Sequence, residues 1–306
     1  MAIYLARRLA QAMVTIFAIV TIAFVFGRLA GSPAVQLLPE QATREQIDAL
    51  NAKLGFDRPY AEQYVGYLVG LLRGDFGDSY RQTGQSSMAL VWERLPSSLH
   101  LGATGLAIGL VLAFAATLII QLTGSRLLRS LMLAAGSIRG SVPDFFFGLL
   151  LVIILSVGLH LLPSLGSGSP LSVIMPALTI GSAQFVVYVR LLDNAMNEER
   201  LADYVRTARA RGDGSARVVL SAILPNAALP VMTVAGINLG SFLGGLVLVE
   251  NVFAWPGLGQ LIVNSVYARD FPVVQAGLIM VAILFILANL LVDLLQGVLD
   301  PRARLA

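Results

Sequence analysis

The sequence predicts an all-α integral membrane protein with six transmembrane helices, and three observations predict it. Of 306 residues, 57% are hydrophobic and only 13% are charged, against about 25% charged in soluble domains. Mean hydropathy is +0.78. Uncharged runs of about 20 residues recur, each long enough to cross ~30 Å of hydrocarbon at ~1.5 Å per residue. Arginines collect beside alternate ends of those runs.

Met1–Arg8 is short and basic, and Leu9–Leu29 is the first span. It is longer than a signal peptide's apolar core of roughly 7–15 residues, and no small-x-small cleavage site follows, so it is read as retained. Gly31–Pro96 is the long polar region and mixes both charge signs. Within it Thr43 and Gln46 are spaced as a capping box opening a short helix to Leu54. Arg58-Pro59 marks a break. Tyr60, Tyr64, Tyr67, Leu68 and Leu71 then recur at helical spacing, and Glu62, Gln63 and Arg73 make that helix a surface or interfacial one.

The second span is Ser98–Leu122. Pro143 and Asp144 open the third, to about Leu162, with the acid suited to the positive end of the helix dipole. Pro163–Pro170 is an uncharged turn, and Met175–Leu192 is the fourth span. Asn226–Val249 is the fifth, with Gly236, Gly240 and Gly244 four apart on one face and Gly245 beside them. Such glycines admit a close helix neighbour, so they read as a packing face or a path lining, with Glu250 at its end. Trp255 is of the type found in an interfacial aromatic belt. Val273–Leu295 is the sixth span, with Asp293 near its inner end.

Charge orients this layout. Arg7, Arg8, Arg126, Arg129, Arg139, the arginines from Arg200 to Arg217, Arg302 and Arg304 fall on one side, and the short loops opposite carry only Arg269. The positive-inside rule puts that side, with both termini, in the cytoplasm. The division expected is 1–29 for the N-terminal tail and first span, 30–97 for an extracytoplasmic helical insertion, and 98–306 for the core.

Several chemistries lack their residues. There is no cysteine, and the two histidines, His100 and His160, are far apart. Lys53 is the single lysine and Leu54 follows it, so a phosphate-binding Gly-x4-Gly-Lys-Ser/Thr loop is absent. No zinc-type histidine pair or nucleophile elbow is present, which counts against a membrane enzyme. Few acids or histidines sit in the spans, which counts against an ion-coupled secondary transporter or channel. A net charge of +3, held in loops beside apolar runs, does not point to nucleic acid.

The densest charge in the C-terminal half lies between spans four and five, in Asp203–Pro230. Leu201, Tyr204, Val205 and Ala208 form one apolar stripe, and Val218, Val219, Ala222 and Ile223 form a second. Gly212-Asp213-Gly214 breaks the chain between them, so two short helices are expected, joined by a tight turn. Residues alone leave two readings: a loop held in the cytosol by its arginines, or a docking element.

That stretch resembles the cytoplasmic EAA loop of ABC importer permeases, E-A-A-x3-G-x9-I-x-L-P. Ala208, Gly212, Leu224 and Pro225 match at the right spacing, while Arg206, Thr207 and Ala222 differ. Asp203-Tyr204-Val205-Arg206-Thr207-Ala208-Arg209-Ala210-Arg211-Gly212 is similar to the version in the dipeptide/oligopeptide/nickel branch. So are Leu54–Pro59, Gly74–Ser79, Val249–Gly259 and the Asp300-Pro301-Arg302 ending. The resemblance covers nearly the whole chain. It implies a non-catalytic permease subunit in a bacterial inner membrane, beside a second permease. Two cytosolic ATPases would carry the ATP and Mg, an external binding protein would deliver solute, and this chain would bind no cofactor. Loop 193–225 would carry the coupling helix, with Asp203, Tyr204, Arg206, Ala208, Arg209, Arg211, Gly212, Leu224 and Pro225 as the coupling residues. Di- and oligopeptides are the solutes expected; nickel, glutathione and glycosides are the alternatives.

Overall fold

The computed structural model describes residues 2–29, 31–39, 41–82 and 84–299. The helices are α1 (Ala2–Leu29), α2 (Ala34–Leu37), α3 (Arg44–Leu54), α4 (Tyr60–Leu72), α5 (Ser87–Thr123), α6 (Arg126–Gly140) and α7 (Asp144–Leu151). A π-helical stretch, Val152–Gly158, continues α7. Then come α8 (Ile174–Glu199), α9 (Asp203–Ala210), α10 (Ser215–Val218), α11 (Leu224–Val252), α12 (Leu258–Tyr267) and α13 (Phe271–Leu299). Among the described residues, five helices or helical runs are long and apolar enough to cross a bilayer. The number is six if α6 and the run from Asp144 to Gly158, bent by 104° at the break between them, form one broken span.

Local signals read from sequence reappear where their chemistry is local. Thr43 and Gln46 form both bonds of the capping box. The helix expected after Arg58-Pro59 is α4. Elsewhere the layout differs. α5 starts at Ser87 rather than Ser98 and passes through Pro96. The stretch of Arg126, Arg129 and Arg139, expected to be a loop, is the helix α6. The Asp300-Pro301-Arg302 ending and the side-chain surroundings of Gly240, Gly244 and Asp293 lie outside the described residues.

The chain divides into two compact units. One comprises Met1–Ser98 with Pro256–Ile286, the other Leu99–Trp255 with Leu287–Ala306. In the first, α4 packs on α1: the Phe24 ring meets those of Tyr64 and Tyr67, and the Tyr64 and Thr21 hydroxyls share a 2.6 Å hydrogen bond. Val91, Leu95, Leu258, Ile262, Ala276 and Met280 form its core. Buried Asp270 fastens the loop before α5, accepting from the Ser79 hydroxyl and from the Tyr80 N–H at 3.0 Å.

In the second unit α8 is central, packed by α11, α6 and α7. Its close approach to α5 depends on glycines. A Cβ on Gly181 would lie 2.8 Å from the Gly105 carbonyl oxygen and 3.1 Å from the Gly109 nitrogen. Trp255 is buried at 5% exposure, its ring tilted against that of His100 at 6.3 Å, rather than displayed in an aromatic belt. Its N–H donates to the carbonyl of Glu250, which is itself fully buried at the end of α11.

Candidate ATPase-coupling site

α9 ends because its C-terminus is capped by backbone alone. Gly212 sits at φ +84°. Its N–H donates to the Arg209 carbonyl at 3.0 Å, and the Asp213 N–H reaches the Ala208 carbonyl at 3.2 Å. This is the Schellman pattern, which requires a left-handed residue and so favours glycine. Gly214 differs from expectation. Its φ is −64° with extended ψ, which any L-residue adopts, so only Gly212 is conformationally required in this turn.

The two apolar stripes do not both face outward. Val205 and Ala208 are buried with Val218, Val219 and Ile223 in one cluster. That cluster also holds Tyr188, Leu192 and Met196 of α8 and Ala227 and Val231 of α11. Leu201 stays 73% exposed and Tyr204 42% exposed. Helical spacing alone could not divide the stripe, because the division depends on where α10 returns. The second short helix does not stand alone either. α10 passes through a π-helical turn, Val219–Ile223, into α11. A wider turn there suits Pro225, whose ring would otherwise press on the carbonyl of the preceding turn. Leu224 packs on the cluster and Pro225 is exposed.

What faces solvent is basic. Arg206 pairs loosely with Asp203 at 3.5 Å, and Arg217 with Asp213 at 3.7 Å, all but Asp213 strongly exposed. Exposed pairs of this kind contribute about 0–1 kcal/mol, so they leave both arginines available. Arg209 and Arg211 are exposed as well. Tyr204 ties this surface down. Its hydroxyl donates to Glu199 at the end of α8 and accepts from the Asn226 amide of α11 at 3.3 Å. Burial, and after it the Glu199 bond, pushes the phenol up to about 12, so it remains a donor at neutral pH. The shift is upward, so this contribution is whole below pH ~10 and fades as pH climbs towards 12.

A second network, absent from the sequence reading, lies just inside. Asp193 of α8 is 2% exposed. It accepts two bonds from Arg129 of α6, at 2.8 and 2.6 Å, and one from the Gln121 amide of α5 at 3.0 Å. Arg200, close after α8, donates to the Gln121 carbonyl at 2.9 Å. Three membrane helices are thereby tied together at the root of α9. Of the other residues singled out in the sequence, Gly236 lies half-buried on α11, remote in sequence from this group. Among the described residues no cluster of histidine, aspartate or glutamate could hold a metal ion.

Comparison with known proteins identifies the family of the chain. Residues 125–305 match the family model described as "Binding-protein-dependent transport system inner membrane component". Residues 1–101 match its N-terminal companion. The chain is 35% identical to the glutathione transport system permease protein GsiC of Escherichia coli K12, over 98% of both chains. It is 33% identical to the dipeptide transport system permease protein DppB of the same strain, again over 98% of both. A solved structure, "Inward facing conformations of the MetNI methionine ABC transporter", aligns with TM-score 0.54 and 21% identity. It covers 70% of this chain and 97% of its own, a likeness of fold. The chain is therefore a multi-pass membrane protein of the binding-protein-dependent transport system inner membrane component family, the permease component of an ABC importer.

Proposed function

We infer that this subunit forms half of the path of an importer for di- and oligopeptide-type solutes, driven by a separate ATPase that grips the α9 elbow. The observation that carries the reading is the elbow's construction. One face, Val205 and Ala208, is rooted in the core, while Arg206, Arg209 and Arg211 face outward beside a rigid glycine cap. Guanidinium groups in that setting suit carboxylate or carbonyl acceptors on a protein surface. Of the stripe Leu201, Tyr204, Val205 and Ala208, Leu201 and Tyr204 supply the apolar contact to the partner, and Val205 and Ala208 transmit its motion.

The elbow faces the cytoplasm in this reading, as do both termini, and 30–97 is an extracytoplasmic insertion beside the 98–306 core. A second permease completes the path, two cytosolic ATPases hold ATP and Mg, and a binding protein delivers solute in a bacterial inner membrane. Access alternates only if each nucleotide state of the ATPases prefers a different conformer of the elbow and its helices. The names of the relatives support the solute class, dipeptide for one and glutathione for another. Glutathione is the second reading on that ground.

The test uses the complete importer in proteoliposomes. Arg206→Glu reverses a charge exposed at 73%, and Gly212→Trp forces a side chain onto φ +84°. Each is expected to lower solute uptake roughly 10–100-fold, the range of coupling between linked sites, while the ATPases still hydrolyse ATP. Wild-type uptake by Gly212→Trp would overturn the coupling role.

A further inference from the structure

We propose that a cavity in the second unit, bounded by Asp144, Gln184 and Asn238, receives the ammonium group of the solute during passage. The cavity is about 110 Å³ and lies among α7, α8 and α11, with Ile180, Leu246 and Val249 as apolar walls. Ligand pockets for whole small molecules are ≈ 300–1,000 Å³, so this one fits a single end group.

Its position makes Asp144 more than the helix cap expected from sequence. α6 runs antiparallel to α8, with Arg129 at Asp193 and Arg139 at Ser182. The break before Asp144 therefore lies well within the length of α8. An ionisable side chain at such depth is costly and marks a functional site by default.

The chemistry of the cavity lining selects the ligand. The Arg139 side chain is 10% exposed, and four of its five N–H donors are committed. They reach the Ser182 hydroxyl at 2.9 Å, the Val142 and Thr179 carbonyls at 3.0 Å, and Asp144 Oδ1 at 2.7 Å. Its plane also lies over the Phe147 ring. Arg139 thus holds Asp144 in place through one oxygen. Asp144 Oδ2 takes no hydrogen bond among the described residues, and the Asp144 side chain remains 52% exposed. Asn238 donates to Gln184 Oε1 at 2.8 Å and to the Tyr188 hydroxyl at 3.1 Å, leaving its own carbonyl oxygen as a second acceptor. An ammonium has three donors and no acceptor, which matches a carboxylate and an amide oxygen on residues that line one cavity. Dipeptides and glutathione share a free α-ammonium, so the site serves either solute. The proposal rests on the peptide-type reading above.

The experiment measures uptake of alanyl-alanine by the complete importer in proteoliposomes. Gly245 lines the cavity, and a Cβ there would meet nothing within 4 Å, so Gly245→Leu starts a side chain in open space and occupies the cavity. It is expected to cut turnover about tenfold, a loss of one ground-to-transition contact of ~1.4 kcal/mol. Asp144→Asn should do the same, and Asp144→Glu should retain part of the rate. The KM for loaded binding protein and its stimulation of ATP hydrolysis stay at wild-type values in all three. Slowing by Asp144→Asn with wild-type turnover in Gly245→Leu would overturn the site and leave Asp144 as the counter-charge of Arg139. Wild-type turnover in both would overturn it as well. A wild-type importer inert towards alanyl-alanine and glutathione alike would instead overturn the solute class, and the site with it.

Discussion

Arg129→Leu will lower the apparent melting temperature of the purified chain by roughly 10 °C, whereas Asp193→Asn will lower it far less. The asymmetry follows from exposure. Asp193 is almost wholly buried, while the Arg129 side chain is 39% exposed. Deleting the arginine strands a desolvated carboxylate with only the Gln121 amide as a side-chain partner. Stranding one member of a buried pair costs about 3–5 kcal/mol, and a domain of this size loses about 2–4 °C per kcal/mol. Deleting the charge of Asp193 leaves Arg129 a path to solvent, and asparagine can still accept one of its bonds. Thermal unfolding followed by size-exclusion chromatography checks the ranking. Equal losses from both variants would show that the pair is not desolvated as described.

Gly181→Val will sharply reduce the folded yield, more than valine at Gly212 or at Gly245. At Gly181 the first atom met is backbone, the Gly105 carbonyl oxygen at 2.8 Å, followed by Ile108 Cγ2 at 2.9 Å and the Gly109 backbone nitrogen at 3.1 Å. Backbone cannot rotate away as a side chain does, so α5 and α8 must separate. Overpacking of a well-packed core costs typically about 1–3 kcal/mol, occasionally more, and the lost contact between the helices adds to it. At Gly245 nothing lies within 4 Å, and at Gly212 the burden is backbone conformation alone. Alanine at the three positions should preserve the same order, read as the monodisperse fraction after detergent extraction. A Gly181→Val variant extracted as well as wild type would remove the close approach as a constraint.

Legibility in the sequence followed the range of each interaction. The capping box at Thr43 and the helix stop at Gly212 depend on residues within one turn of each other, so the spacing declared them. α6 was hidden by its own charges. Arg126, Arg129 and Arg139 look like topological markers beside an apolar run. Two of them turn inward, one to an aspartate 64 positions away and one to the start of the next helix. No window of local sequence contains the first pairing. The glycine contact was hidden for a similar reason: Gly105 and Gly109 carry the four-residue spacing, but their partner Gly181 lies on another helix. Trp255 was misjudged because residue type describes a preference for interfaces and says nothing about a pocket prepared by neighbours.

The elbow's layered build has an evolutionary reading. Its inner residues belong to the same cluster as Tyr188 and Val231, whereas Arg206, Arg209 and Arg211 are exposed. Mutational drift can therefore rewrite the outer surface without disturbing the scaffold beneath.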